Sequence, residues 1–217
     1  MCEICDAQRQ CWNKNFSERP SMFGDAPSDA AQRAFELLKR ENKTTLLELG
    51  GGQGRDTLFF AKNRLQVTML DYSDSAVETV RAGAQVSSLH LTAIRHDVRE
   101  ALPFADDTFD AAYSHMLYCM ALSNEQIENL AREVLRVLKP GGLNIFTVRH
   151  IGDPHYRAGT HRGEEMYEVG GFIVNFFDKA KVERASQGYE IIAIDEFEEG
   201  AMPRRLFHVA LRKPAAN

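Results

Sequence analysis

Short apolar runs alternating with amphipathic helical stretches predict an α/β protein. The expected core is a mostly parallel, seven-stranded sheet with helices on both faces and an antiparallel final strand pair. Three observations carry this prediction. Apolar runs at about 44–49, 65–70, 88–95, 109–113 and 143–148 are spaced by segments of helical periodicity, the pattern of βαβ units. Two late runs, 189–198 and 204–212, are joined only by Gly200-Ala201-Met202-Pro203, close enough to pair antiparallel. The chain has 217 residues, 44% of them hydrophobic, which suits one domain that buries its own core.

The elements follow in order. Residues 1 to about 27 read as a polar, irregular arm in which Trp12, Phe16 and Phe23 are scattered. Those aromatics either fold over a pocket as a lid or pin the arm to the core. Ser28 is a good N-cap, and Ala31, Ala34, Phe35 and Leu38 recur at helical spacing, so a helix runs over about 29–41. The run at 44–49 ends in glycines, and 56–62 opens the next helix. Asp71 closes the second strand and Ser73 caps a helix over about 74–83. Ser123 with Gln126 forms a capping box before Ile127, Leu130, Ala131, Val134, Leu135 and Leu138. Lys139-Pro140-Gly141-Gly142 closes that helix in the order a C-terminus prefers. Residues 150–171 form a long polar segment with glycines at 152, 159, 163, 170 and 171, and Asp178 caps a short helix to about 187.

Charge narrows the function classes. Lys plus Arg is 26 and Asp plus Glu is 31, a net −5, which speaks against a nucleic-acid binder because phosphate contacts need clustered cations. No apolar run reaches the ~20 residues of a membrane span. The N-terminal residues lack the basic stretch and apolar core of a secretion signal, so the expectation is a cytoplasmic protein with no membrane partner, as monomer or homodimer. Cys2-x-x-Cys5 has the spacing of half a zinc site or a redox pair, but Cys11 and Cys119 do not complete a four-ligand set. No metal is expected, and the cysteines read as ordinary thiols.

The segment Glu48-Leu49-Gly50-Gly51-Gly52-Gln53-Gly54 joins the first strand to a helix, in the position that faces the ligand crevice of a parallel sheet. Its spacing is GxGxG, and Arg55 stands where a dinucleotide fingerprint needs glycine or alanine. Glu48 suits a cationic ligand and opposes a pyrophosphate. Asp71 can take both hydroxyls of a ribose, and Asp97 with Val98 can bond and pack an adenine. A ligand with adenine, ribose and a positive centre but no phosphate is S-adenosylmethionine.

These residues are similar to the motifs of the class I S-adenosylmethionine-dependent methyltransferases, small-molecule branch (methyltransferase type 11-like). Residues 46–54 resemble the first motif and Leu70-Asp71-Tyr72-Ser73 the second. Leu102-Pro103-Phe104 with residues 108–112 resembles the approach to the fourth strand, and residues 136–142 the turn before the fifth. The resemblance spans about 44–148. It implies a Rossmann-like fold, with S-adenosyl-L-homocysteine as product. The cofactor set it implies is Glu48, Gly50, Gly51, Gly52, Gly54, Asp71, Tyr72, Ser73, Asp97, Val98, Ser114 and His115. It divides the chain into an arm or lid at 1–28 and a methyltransferase domain at 29–217, with a substrate-loop insert at 150–177.

The acceptor is expected to be a small molecule. An activated methyl needs mainly an aligned nucleophile, and O–H or N–H acceptors often need a base as well. His115 and His150 are the candidate catalytic residues. The candidate substrate contacts are Tyr118, just after the fourth strand where the resemblance implies that donor and acceptor meet, and His150, His155, Tyr156, His161, Arg162 and Tyr167 of the long loop, because such loops inside compact domains tend to bind ligands. The alternatives are a non-catalytic sensor or partner protein that binds the same cofactor, and methylation of a thiol, a chalcogen or a protein side chain.

Overall fold

The computed structural model describes residues 3–20, 22–200 and 204–215, with side chains described from Ala7 onward. Its strands and helices are β1 (Thr45–Leu49), β2 (Gln66–Asp71), β3 (Leu91–Arg95), β4 (Phe109–His115), β5 (Leu138–Arg149), β6 (Thr160–His161), β7 (Met166–Val169), β8 (Phe172–Asn175), β9 (Glu190–Glu199), β10 (Arg204–Arg212), α1 (Glu3–Glu18), α2 (Asp29–Arg40), α3 (Arg55–Lys62), α4 (Asp74–Val86), α5 (Asn124–Val137) and α6 (Lys179–Ala185). Seven strands form one sheet in the order β3-β2-β1-β4-β5-β10-β9. The first five are parallel, and β10 runs antiparallel to both β5 and β9.

Side-chain alternation along the strands divides the core into two layers. Leu47, Leu49, Ala112 and Phe146 pack with Ile127, Leu130 and Val134 of α5 and Val182 of α6. Leu46, Ala111, Tyr113 and Ile145 pack on the other face with Ala31, Ala34 and Leu38 of α2 and Phe60 of α3. Each of these leucines is almost fully buried, and removal from water is worth roughly 1.5–3 kcal/mol per side chain. Ser28, Ser73 and Asp178 cap their helices through the side-chain oxygen, and Ser123 with Gln126 makes both bonds of a capping box.

Three expectations are corrected. The arm before Ser28 contains α1, because Gln8, Trp12 and Phe16 recur every four residues and form a helical stripe. Leu138, expected on the apolar face of the helix, is instead the first residue of β5, because the helix ends at Val137, just ahead of residues 139–142. Leu138 pairs with Phe109 and Leu143 with Ala111, so the residues between them loop out of the ladder at Gly141, whose φ is 73°. The polar segment after β5 is not a structureless loop: β6, β7 and β8 form a small antiparallel sheet. Its glycines mark the turns, where Gly170 and Gly171 both take positive φ. Of the connector 200–203, only Gly200 is described. Cys2 lies outside the described residues, as does the side chain of Cys5.

Candidate functional site

The strands that carry site residues end on one edge of the sheet, and the glycine turn after β1 crosses that edge. Gly50 has φ 68° and Gly54 has φ 85°, values that L side chains rarely adopt. A Cβ on Gly50 would come within 2.9 Å of Leu117, and one on Gly54 within 2.5 Å of Val80. Gly50 therefore lets the loop lie against the segment after β4, and Gly54 lets α3 start against α4.

A cavity open to solvent lies over this turn. Glu48, Gly50, Gly51, Gly52, Asp71, Tyr72, Asp97, Val98 and His115 line it. Glu48 is buried, and among the described residues its Oε2 has no hydrogen-bond partner. Burial, with the charges of Asp56 and Asp71, pushes its carboxyl up to about 8. Asp71 Oδ2 accepts from the Gly52 N–H at 2.9 Å and Oδ1 from the Ser73 N–H at 2.9 Å, so it fixes the glycine turn to the end of β2. Burial raises Asp71 to about 6, against those backbone bonds. Burial would also raise Asp97, but hydrogen bonds and charge from Arg99 outweigh it and hold the carboxyl below its ordinary value. Arg99 Nε donates to Asp97 Oδ1 at 2.8 Å, and Nη2 pairs with Oδ2.

Gly54, Ser73 and Ser114 are not part of the cavity wall. Gly54 packs on Val80, Ser73 caps α4 and donates to Asn13 Oδ1 at 2.8 Å, and Ser114 is buried within β4. His115 lines the cavity, but both ring nitrogens face protein. Nδ1 lies 2.9 Å from Thr147 Oγ1, and Nε2 lies 3.0 Å from Glu199 Oε2 at an angle short of a hydrogen bond. Burial raises the Glu199 carboxyl, and His115 more than offsets it, leaving a lowered value. The ring is thus held by Thr147 of β5 on one side and lies beside the Glu199 carboxylate at the end of β9 on the other. Met116, next in the chain, takes φ 58°, and its N–H donates to Thr147.

The other candidate substrate residues lie off the wall. Tyr118 is fully buried and stacks on Phe146. His150 packs edge-on to Phe207, and its Nδ1 accepts from the Gly152 N–H at 2.7 Å. His155 Nδ1 lies 3.2 Å from Arg149. Tyr156 donates to Glu165 at 2.6 Å, Arg162 pairs with Glu168, and His161 packs on Tyr167. Tyr118, His150 and His155 are thus held by β5 and β10, and Tyr156, His161, Arg162 and Tyr167 by contacts in and around the small sheet.

What reaches the cavity instead is α1 and the turn after it. Trp12, Phe16 and Phe23 pack within 6.5 Å of one another, and Trp12 lies 4.6 Å from Phe172 of β8. Gln8 Nε2 donates to the Gly171 carbonyl at 2.8 Å, and its Oε1 accepts from the Ile173 N–H at 3.1 Å. Asn13 Oδ1 accepts from Ser75 N–H at 3.1 Å, and Gln53 of the glycine turn donates to the Arg19 carbonyl at 2.6 Å. The helix thus bridges the small sheet and the glycine turn and roofs the cavity. Met116, Leu117, Met120 and Leu122 complete an apolar wall. The four-residue spacing of Gln8, Trp12 and Phe16 was the signal for this roof; His96 and Arg55, also on the wall, carried none.

Residues 46–142 match the family model of a methyltransferase domain. Over that stretch the chain is similar to methyltransferases, and its fold is similar to that of S-adenosylmethionine-dependent methyltransferases. It is 30% identical over 152 residues to phosphoethanolamine N-methyltransferase 1 of Triticum aestivum, a match covering 64% of this chain and 28% of that one. It spans less than two thirds of the curated relatives it matches. The fold is similar to that of the Burkholderia thailandensis 1,6-didemethyltoxoflavin-N1-methyltransferase, solved with 1,6-didemethyltoxoflavin and S-adenosylhomocysteine (TM-score 0.77, 15% identity, 98% of this chain and 89% of that one). It is also similar to the [4+2]-cyclase SpnF (TM-score 0.71, 17% identity, 96% and 95%).

Proposed function

We propose that this chain moves the methyl group of S-adenosylmethionine to a small-molecule acceptor. One observation carries the reading: carboxylates at the ends of β1, β2 and β3 converge with the glycine turn on a single cavity, and the buried Glu48 among them has an unpartnered oxygen. That oxygen fits a cationic ligand. The chemistry supplied by S-adenosylmethionine is a methyl group already activated on a sulfonium.

The residues of this chain bind, orient and exclude water. Glu48 offers its carboxylate to the amino end of the ligand, Asp71 a carboxylate to the ribose, and Asp97 with Val98 an acceptor and an apolar face to the adenine. Trp12, Phe16, Phe23, Met116, Leu117 and Met120 line the space left for an acceptor, which favours an apolar, ring-containing molecule. Alignment against a closed wall supplies up to roughly 7–11 kcal/mol of rate enhancement. His115 contributes by fixing the loop after β4 rather than by taking a proton.

The test is formation of S-adenosylhomocysteine from S-adenosylmethionine across a panel of phenol, N-heterocycle, amine, thiol and selenol acceptors. Turnover with one class supports the proposal and names the acceptor atom. The fold shared with a [4+2]-cyclase favours a second reading, a chain that holds the same cofactor without methyl transfer. Tight binding with no turnover across the panel would select it.

A further inference from the structure

Arg55 follows the glycine turn directly, opens α3 and lies in the cavity wall. Its side chain is 23% exposed. The natural counter-ion beside it is Asp56, yet Nε to Asp56 Oδ1 is 3.7 Å, beyond hydrogen-bond reach. Asp56 is committed elsewhere: Oδ1 accepts from Ser28 N–H at 2.8 Å, and Oδ2 from Ser28 Oγ at 2.7 Å and Tyr113 OH at 3.0 Å. Arg55 makes one long bond, Nη1 to the Phe23 carbonyl at 3.3 Å, with its guanidinium 5.7 Å from the centre of the Phe23 ring. Among the described residues Nη2 has no hydrogen-bond acceptor, and the acidic groups whose charge acts on the guanidinium besides Asp56 are Glu48 and Glu199. The other arginine on the wall, Arg99, is forked onto Asp97. A guanidinium presents five N–H donors in a planar fork that matches a carboxylate.

We propose that Arg55 is the carboxylate-binding residue of this cavity, forked onto a ligand carboxylate. The proposal rests on the donor reading above. A carboxylate can arrive from two sources, the amino-acid end of the methyl donor or an acidic acceptor, and the guanidinium chemistry is the same for both. Lysine in its place keeps the charge and loses the fork.

Calorimetric titration of wild type, Arg55→Gln and Arg55→Lys separates the cases. The probes are S-adenosylhomocysteine, its decarboxylated analogue, and benzoate added to protein saturated with S-adenosylhomocysteine. If the donor supplies the carboxylate, Arg55→Gln binds S-adenosylhomocysteine at least tenfold more weakly and Arg55→Lys loses less. The decarboxylated analogue then binds all three proteins alike. If the acceptor supplies it, S-adenosylhomocysteine binding is unchanged and benzoate affinity falls at least tenfold in Arg55→Gln. An unchanged S-adenosylhomocysteine affinity with benzoate binding absent or unchanged overturns the proposal. So does an equal loss for S-adenosylhomocysteine and its decarboxylated analogue, which would reduce Arg55 to shaping the turn. Failure of the donor reading itself looks different, because wild type would then bind no S-adenosylhomocysteine.

Discussion

With its carboxyl raised to about 8 by burial, Asp56 and Asp71, Glu48 holds a proton at pH 7 until a cation is placed against it. An ammonium lowers that value, so binding of S-adenosylhomocysteine at pH 7 should release up to about one proton to the buffer. Calorimetry in buffers of different ionisation enthalpy measures this, and Glu48→Gln should abolish both the release and most of the affinity. The same shift sets a stability trend. The folded values of Glu48 and Asp71, about 8 and about 6, exceed the ordinary 4.5 and 3.8. Their contribution is therefore complete below about pH 4 and is lost as pH rises through 6 and then 8. Ligand-free Glu48→Gln should melt higher than wild type at pH 8.5, by on the order of 3 °C, and show little difference at pH 4. Glu48, Asp71 and Asp97 were legible as site candidates because each stands at or just beyond the C-terminal end of an apolar run. Arg55 was noted only for breaking a dinucleotide pattern, since nothing in sequence shows that Asp56 is occupied by Ser28 and Tyr113.

The roof helix α1 shows what periodicity misses when a stripe mixes polar and apolar side chains. Gln8 shares the stripe of Trp12 and Phe16 but is buried for its hydrogen bonds to β8, not for its apolarity. The small sheet β6-β7-β8 was hidden for a related reason: its strands are short and partly exposed, and glycines dominate its turns. The helices with serine or aspartate caps were legible from those residues alone. Trp12 is the single tryptophan of the chain, so its emission reports the roof directly. Adding S-adenosylhomocysteine should shift or quench that emission, and Trp12→Ala should speed ligand dissociation roughly tenfold through lost aromatic packing. An emission indifferent to saturating ligand would contradict a roof over the ligand.

At the scale of the whole molecule, the seven-stranded order and the antiparallel final pair follow from strand-helix alternation and two closely spaced late runs. The cavity does not follow in the same way. Its cofactor half comes from strand ends that sequence locates, whereas its other wall comes from α1 and the loop after β4, which only folding brings together. His150, His155 and His161 cluster in sequence yet lie off the cavity wall, against Phe207, Arg149 and Tyr167 respectively. The central claim is that this one cavity holds the methyl donor, and titration of wild type with S-adenosylhomocysteine tests it most directly. One molecule should bind per chain, with Kd on the order of micromolar, about −8 kcal/mol, and folded Asp71→Asn should bind at least tenfold more weakly. No heat and no thermal shift at millimolar S-adenosylhomocysteine, or an affinity that Asp71→Asn leaves unchanged, would contradict the claim.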